Sequence, residues 1–365
     1  MLNFKKIGNM KNFKINIFLS MLAFFAINSC EGPLEEEIFS QLAPSTLLIN
    51  EGGINTVLTS AYASAHYDNE STLRWSVFNG DFIAGTYWGK GGSIESIWVQ
   101  LMEFTFDANH ASVRNLWPNH YEGIRDANVV LENLDNESLS TDYVNLTTAE
   151  AKFIRGWNYV QLYSLFGPVP LHISASDEAL QARATDAEMR TQIESDLIDA
   201  MNTLPVSTDK FGKATKGAAQ GLLTKYYLNT KQWQKAADMA KTIISSGNYA
   251  LQATFQDVFA FTNEGNKEMV WALPNDSGSG NKLMALQSLT YPPSYPRPYS
   301  NNAVWAARTY MFDSFVDSFE AGDERKNSII QQWNTADGTP QQAYGFDQSL
   351  PAKFPFDPNS LAWRS

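Results

Sequence analysis

The sequence predicts an all-α fold, a tetratricopeptide-like helical-repeat scaffold with long aromatic-rich loop insertions. Apolar patterns of helical period, with clear start and stop signals, fill the middle of the chain. Two of these helices have the spacing of a tetratricopeptide unit. Two long stretches rich in glycine and aromatic residues interrupt the helical pattern. The 365 residues are enough for one large domain or two ordinary ones.

Residues 1–29 have the features of a signal peptide. An apolar run from Ile15 to Ile27 spans roughly 13 residues, fewer than the roughly 20 that a membrane-spanning helix needs. The charges before it are all basic: Lys5, Lys6, Lys11 and Lys14. Met10 is an alternative translation start, because a lysine-containing segment also follows it.

Cys30 is the one cysteine of the chain, so it cannot form an internal disulfide. The sequence Ile27-Asn28-Ser29-Cys30 resembles a bacterial lipobox, in which the leader is cut before a cysteine that carries lipid. Two or three acyl chains on that cysteine would give stable membrane attachment. The alternative is a buried free cysteine in a signal-anchor helix. We predict lipid attachment at Cys30 and a lipid-anchored tether over residues 30–50.

Acidic residues follow the cysteine directly: Glu31, Glu35, Glu36 and Glu37. In some Gram-negative bacteria such acids resemble a surface-export signal, and a solvated run of charge is the alternative. The whole chain has a formal charge of −12, and loss of the four leader lysines makes it −16. This balance argues against nucleic acid as a partner and against electrostatic docking on anionic lipid.

Helices are predicted from Ile54 to His66 and from Val113 to Leu134. The second has an apolar face formed by Trp117, Tyr121, Ile124 and Leu131. A capping box at Thr147–Glu150 predicts the start of a further helix, Ala149 to Phe166, which is apolar on nearly every side and therefore buried. Gly167 and Pro168 end it.

A second capping box, Thr185–Glu188, predicts a helix that ends at Leu204-Pro205. Helices follow at Lys216–Asn229 and Trp233–Tyr249, the latter ended by Gly247. Their small and bulky apolar residues fall where a tetratricopeptide unit requires them, although ordinary antiparallel helix pairing gives a similar spacing. We assign Trp117, Trp157 and Trp233 to packing.

Residues 74–110 and 274–305 show no helical period and contain many glycines, prolines and aromatic residues. Four prolines in the second stretch exclude a long helix there. Loops of this length in a compact domain are usually functional or disordered, and aromatic enrichment argues against disorder.

Several stretches together resemble the SusD/RagB family of outer-membrane lipoproteins. The strongest is residues 149–171, a helix that ends in Phe-Gly-x-Val-Pro-Leu; residues 193–205 and 212–251 are similarly close. The resemblance covers residues 15–330. It implies a SusD-like α-helical domain over 51–365. The resemblance also implies that the C-terminal part of this domain is missing, since the chain stops at FDPNSLAWRS. Either a fragment of a longer sequence or a truncated gene would explain this.

The resemblance implies a non-enzymatic, surface-exposed protein of the outer membrane. Such a protein captures a nutrient, most often an oligosaccharide or polysaccharide, and passes it to a SusC-like TonB-dependent transporter. Two alternatives stay open: the same fold with peptide or other non-glycan cargo, and a helical-repeat interaction module without a small ligand.

Catalytic and metal-binding motifs are poorly supported. The histidines, each expected at the surface or partly buried, form no H-E-x-x-H pair: His66, His110, His120 and His172. No G-x-S-x-G elbow and no P-loop is present. We predict no cofactor and no metal.

A sugar site needs flat aromatic rings for C–H faces and fixed polar groups for hydroxyls. Both aromatic-rich stretches supply such residues, and we predict that they meet on one surface of the scaffold. The candidate platforms are Trp75, Trp88, Tyr291, Tyr295, Tyr299 and Trp305. The candidate hydrogen-bonding residues are Arg74, Asp81, Asn301 and Asn302. Trp98 has the character of a core residue and is left out.

Overall fold

The computed structural model describes residues 47–65, 80–89, 95–273, 290–299, 309–343 and 349–356. The larger helices, in chain order, are α1 (Glu51–Ala65), α3 (Glu95–Met102), α5 (Leu116–Glu132), α6 (Thr141–Phe166), α7 (Asp186–Thr203), α8 (Lys216–Asn229) and α9 (Trp233–Ser245). Short helices are α2 (Gly80–Ile83), α4 (Ala111–Arg114), α10 (Phe255–Phe259) and α11 (Asp313–Asp317), and turns of 3₁₀ helix lie at Phe261–Asn263 and Glu324–Ser328.

Short strands form three antiparallel two-stranded ribbons. The strands are β1 (Tyr87–Gly89), β2 (Thr309–Met311), β3 (Ile329–Ile330), β4 (Gln332–Asn334), β5 (Pro340–Gln342) and β6 (Leu350–Pro351). Strand β1 pairs with β2, β3 with β6, and β4 with β5. The predicted helical scaffold is confirmed, and the ribbons lie in the parts of the chain that follow or interrupt it.

The helices pack as a series of neighbours. Helix α5 packs against α1 and α6, α7 packs against α6 and α8, and α8 packs against α9. The apolar face predicted for α7 is buried: Met189, Ile193, Leu197 and Ala200. Its capping box is also present, because Thr185 accepts the backbone N–H of Glu188, and Glu188 accepts the backbone N–H of Thr185 at 2.7 Å. Gly167 and Gly247 have the positive φ angles expected of residues that end helices.

The predicted start of α6 is wrong. The helix begins at Thr141, where Ser140 accepts the backbone N–H of Tyr143, so the sequence of Thr147–Glu150 lies inside it. Thr147 and Glu150 are buried, and Glu150 accepts a hydrogen bond from Lys213 Nζ at 2.8 Å. The serine cap two turns earlier competes with the later threonine, and burial of the threonine face favours the longer helix.

Other boundaries differ from the prediction. Residues 113–134 contain the end of α4 and then α5, and α9 stops at Ser245 rather than Tyr249. Helix α3 lies inside residues 74–110, the stretch that was expected to lack helix. Its side chains Trp98 and Leu101 are buried. Trp233 is 60% exposed, so its assignment to packing is wrong.

One cluster of buried polar groups links three helices of the scaffold. Arg155 of α6 donates to both carboxylate oxygens of Asp196 on α7, at 2.8 and 2.7 Å, and to Asn128 Oδ1 on α5 at 2.8 Å. Buried polar groups need such partners, because an unpaired one loses its hydration without compensation. This cluster fixes the mutual position of three helices.

His110 and His120 are buried, which corrects the expectation of surface or partly buried residues. His120 Nδ1 lies 2.9 Å from Asn158 Oδ1, and burial lowers the pKa of His120 to about 4. His110 Nε2 lies 2.9 Å from the carbonyl oxygen of Ile97, while its Nδ1 accepts the backbone N–H of Ser112. Both rings therefore have structural hydrogen bonds.

Candidate functional site

The ribbon of β1 and β2 joins the first aromatic-rich stretch to the segment that follows the second one. Strand β1 lies in the first stretch, and β2 begins shortly after the second one ends. Their register pairs Tyr87 with Met311, Trp88 with Tyr310 and Gly89 with Thr309. The side chains of Trp88 and Tyr310 are thus directly opposite each other, although they are far apart in sequence.

The two faces of this ribbon have different environments. On one face Thr309 and Met311 are buried, and a Cβ at Gly89 would lie 2.0 Å from Trp98 Cε3, so this face lies against the core. Side chains alternate along a strand. Trp88 and Tyr310 therefore lie on the opposite face, where both are half-buried.

Trp88 and Tyr310 form an aromatic pair. Their ring centroids are 5.0 Å apart and the planes differ by 26°, a stacked arrangement, and Phe312 follows with its centroid 6.5 Å from that of Trp88. Cross-strand aromatic pairs stabilise a ribbon and present a broad flat surface. We refer to Trp88 and Tyr310 as the aromatic pair.

A second aromatic feature is a groove of about 830 Å³ between residues 293–299 and the turn of the β4–β5 hairpin. The lining includes two tyrosines, Tyr295 and Tyr299, together with hydroxyl, amide and charged side chains of both segments: Ser294, Arg297, Thr335, Asp337, Thr339 and Gln341. Tyr299 is 40% exposed. We refer to this feature as the tyrosine groove.

Tyr295 is held in the groove by rings behind it. Tyr291 is only 5% exposed; its ring centroid lies 4.8 Å from that of Tyr295 and 4.3 Å from that of Phe356. The centroid of Trp333 on β4 lies 6.1 Å from that of Tyr295. Tyr291 thus supports Tyr295 from within, and its ring does not offer the open platform that the sequence predicted.

Residues 349–356 connect the two aromatic features. Met311 and Ser349 exchange backbone hydrogen bonds at 2.7 and 3.1 Å, next to the aromatic pair. Phe354 packs against the cluster of Phe82 and Trp98, and Phe356 contacts Tyr295. The seven residue steps from Ser349 to Phe356 reach at most about 25 Å. The aromatic pair and the tyrosine groove therefore lie on the order of 25 Å apart or closer.

Asp81 has a local partner. Its Oδ1 accepts the Thr86 hydroxyl at 3.3 Å, and the carbonyl oxygen of Asp81 accepts the Thr86 N–H at 3.1 Å. Burial raises the pKa of Asp81. Thr86 in turn accepts the N–H of Phe312 at 3.1 Å, so Asp81 stabilises the turn that leads into β1.

Several predicted site residues lie outside the described residues: Cys30, Arg74, Trp75, Asn301, Asn302 and Trp305. Trp88, Tyr295 and Tyr299 lie on the aromatic pair or in the tyrosine groove. Trp98 is 1% exposed and belongs to the core, as expected.

Sequence reasoning missed Tyr310, Trp333 and the polar residues of the hairpin turn. Tyr310 lies just beyond the end of the aromatic-rich stretch, and Trp333 occurs in a segment without aromatic enrichment. Thr309–Met311 shows no apolar alternation in sequence, and three residues are too few to distinguish a strand from a loop.

The described ranges contain no group of three or more His, Cys, Asp or Glu side chains that could hold a metal ion. No helix in the same part of the chain has the length and apolar character needed to cross a membrane.

The described part of the chain is thus a helical scaffold that carries stacked aromatic rings and a groove lined by hydroxyl groups. The family model described as "Starch-binding associating with outer membrane" matches residues 34–228, more than half of the chain. The chain therefore belongs to the SusD-like family, also called SusD/RagB. The description of the family names starch binding and association with the outer membrane, which fits the prediction that the chain is not an enzyme.

Curated relatives are longer than the matched region. SusD-like protein P25 of Formosa agariphila is 26% identical over 279 residues, which cover 71% of this chain and 51% of that protein. SusD-like protein P2 of the same organism is 25% identical over 293 residues, covering 76% and 56%. The chain spans about half the length of these relatives.

Solved structures share the fold. A laminarin-binding SusD-like protein superposes with a TM-score of 0.70 at 23% identity and covers 84% of this chain and 72% of its own. Surface glycan-binding protein A from Bacteroides thetaiotaomicron, in complex with laminarihexaose, gives a TM-score of 0.69 at 19% identity, covering 83% and 70%. At these identities the likeness shows the fold alone.

Proposed function

We propose that this protein is a cell-surface lipoprotein that binds an oligosaccharide or polysaccharide and delivers it to a SusC-like TonB-dependent transporter. The observation that carries the proposal is the stacked pair of Trp88 and Tyr310, which lies on the ribbon face opposite to the core. Such a pair stabilises the ribbon, and on the face away from the core its rings can also serve as a platform for a sugar.

The chemistry of a sugar matches both aromatic features. The C–H face of a pyranose packs on flat rings, and its hydroxyls need hydrogen-bonding partners when water leaves. The aromatic pair offers the rings. The tyrosine groove combines Tyr295 and Tyr299 with Ser294, Thr335 and Gln341, whose side chains can exchange hydrogen bonds with hydroxyls.

The relatives support a glycan as cargo. The family description names starch, and two of the structurally similar proteins bind laminarin or laminarihexaose. Starch and laminarin are both glucans, and a surface built from rings and hydroxyl groups suits either of them. We therefore propose a glycan as the ligand of this chain and leave its linkage undefined.

Affinity gel electrophoresis tests the proposal. The full chain, purified in mild detergent, is run through native gels that contain soluble starch, laminarin or other plant, algal, host and microbial polysaccharides. Retardation by at least one polymer is the expected result. If protein shown by circular dichroism to be folded is retarded by none of them, the cargo is a peptide or another nutrient.

Lipid attachment at Cys30 is the second part of the proposal, and it accounts for the position of the thiol between an apolar run and Glu31. Metabolic labelling with a palmitate analogue should mark the wild-type protein and leave Cys30→Ser unlabelled. Equal labelling of both proteins would show that the lipid is not attached at Cys30. Co-purification with a TonB-dependent transporter from outer membranes tests the partner.

A further inference from the structure

A cavity of about 650 Å³ lies between helices α8 and α9, and we refer to it as the α8–α9 cavity. Its volume is within the range of sites for small molecules. Its lining shares no residue with the tyrosine groove or the aromatic pair. Most of the lining side chains are polar, and the ones that matter below are Lys216, Gln220, Asp238, Lys241, Ser245 and Tyr249.

Gln220 of α8 is a buried polar residue in this lining. It is only 7% exposed, and its side-chain amide forms no hydrogen bond with any residue that the structure describes. The amide atoms are not fully enclosed, since they keep a small accessible surface toward the cavity. A buried amide without a partner has lost hydration without compensation, and a polar group of a ligand in the cavity would supply the missing hydrogen bond.

The charged side chains of the lining give it a net positive charge. Lys216 and Lys241 contribute two ammonium groups, and Asp238 contributes one carboxylate. Neither lysine forms an ion pair within the described part of the chain. Asp238 Oδ1 accepts the side-chain N–H of Gln234 at 3.0 Å, which leaves its second oxygen available to a ligand. Two available cations therefore line a cavity in a chain whose formal charge is −12.

Tyr249 adds an aromatic ring and a hydroxyl group to the same cavity. A Cβ at Gly217 would lie 1.8 Å from Tyr249 Oη, so the glycine makes room for this tyrosine at the first turn of α8. Neither the hydroxyl of Tyr249 nor that of Ser245 is hydrogen-bonded to a described residue. Most of the polar groups that remain available can therefore donate hydrogen bonds, which suits a ligand rich in oxygen atoms.

We propose that the α8–α9 cavity is a second ligand site and that it binds a sugar acid, a small polyhydroxylated molecule with one carboxylate. The ammonium groups of Lys216 and Lys241 bind the carboxylate through charge-assisted hydrogen bonds. The hydroxyls exchange hydrogen bonds with Gln220, Asp238 and Tyr249. The cavity is larger than a bare phosphate or sulfate ion needs, which favours a sugar as the carrier of the charge. This site does not depend on the polysaccharide binding proposed for the aromatic pair.

The test compares two sugars that differ in one charged group. Dissociation constants are measured by isothermal titration calorimetry with the full chain for D-glucuronate, D-glucose and inorganic phosphate. Lys241→Gln removes one positive charge from the lining. Lys225→Gln makes the same change in net charge at an exposed lysine of α8 that does not line the cavity. Gln220→Met replaces the amide by an apolar chain of similar size.

We expect glucuronate to bind at least about fivefold more tightly than glucose, because one pair of opposite charges about 4 Å apart in water changes an equilibrium by about that factor. Lys241→Gln should weaken glucuronate binding by about fivefold, and Lys225→Gln should leave it unchanged. Gln220→Met should also weaken binding by about fivefold, whereas its urea midpoint should not fall, since the substitution removes a buried amide without a partner.

Equal affinities for glucuronate and glucose, or equal effects of the two lysine substitutions, would overturn recognition of a carboxylate in the cavity. Phosphate that binds as tightly as glucuronate would overturn the assignment to a sugar acid. A lower urea midpoint for Gln220→Met would show that the amide is already paired in the free protein, against the role given to it. Absence of glucuronate binding to the folded wild type overturns the site, whatever the polysaccharide gels show.

Discussion

Gly89 lies against the indole of Trp98 so closely that a Cβ at position 89 would be 2.0 Å from Cε3 and 2.7 Å from Cδ2. Trp98 is buried against Phe82, with the ring centroids 4.9 Å apart. The indole therefore has little freedom to move away. This contact fixes which face of the β1–β2 ribbon is turned toward the core, and hence which face carries Trp88.

Gly89→Ala should displace the ribbon. We expect it to lower the free energy of unfolding by about 1–3 kcal/mol, because an added methyl group in a filled core forces neighbouring atoms to shift. Urea denaturation measures the effect. Gly52→Ala, whose Cβ would meet only the side chain of Asn50 at 3.2 Å, is the control and should have little effect. Equal midpoints for both variants would contradict the described contact.

The Arg155–Asp196 pair should contribute strongly to stability. Both side chains are less than a tenth exposed, so Asp196→Ala leaves an uncompensated buried guanidinium and should cost about 3–5 kcal/mol. The pair of Lys152 and Asp199 joins the same two helices at the surface, and Asp199→Ala should cost at most about 1 kcal/mol. Similar losses in the two variants, measured by denaturant unfolding, would be evidence against burial of the first pair.

His120 should make the protein less stable in acid. Its pKa is about 4 in the folded state against an ordinary value of 6.5, so folding favours the neutral ring. The stabilising contribution is complete above about pH 6.5 and is lost as the pH falls through about 4, by roughly 3 kcal/mol in total. The difference in unfolding free energy between wild type and His120→Gln should shrink over that range, and a constant difference would exclude this role.

Substitution of Tyr291 should affect the stability of the fold, and substitution of Tyr299 should affect glycan binding. Tyr291→Ala empties a buried site and should lower the unfolding free energy by about 3–5 kcal/mol, in the range observed for aromatic truncations. Tyr299→Ala should leave stability within about 0.5 kcal/mol, because the residue is 40% exposed at the surface, and should weaken glycan binding. A stable Tyr291→Ala protein, or a Tyr299→Ala protein with full affinity, would reverse the assigned roles.

Most of the larger helices were predictable from the sequence because their signals were local. Thr185 with Glu188, Gly167 and Gly247 mark helix ends by chemistry that acts within a few residues. The Ala149–Phe166 segment was predicted correctly as a buried helix, whereas its start was not, since burial of Thr147 and Glu150 depends on other helices.

The site was predictable only in part. Trp88, Tyr295 and Tyr299 stood out as aromatic residues in irregular stretches, whereas the partner of Trp88 is set by the long-range register of β1 and β2. Nothing within the sequence near Tyr310 reveals that register. The same limit applies to Tyr291, whose burial depends on Phe356 from a distant segment.

The binding role of the aromatic pair is the central claim, and the affinity of a Trp88→Ala/Tyr310→Ala double variant tests it most directly. The measurement is retardation of the full chain in gels that contain the polysaccharide bound by wild type. Trp233→Ala, which removes a 60% exposed tryptophan from α9, serves as the matched control. We predict that wild type and Trp233→Ala are retarded equally and that the folded double variant is not. A folded double variant that is retarded as strongly as wild type would contradict the claim.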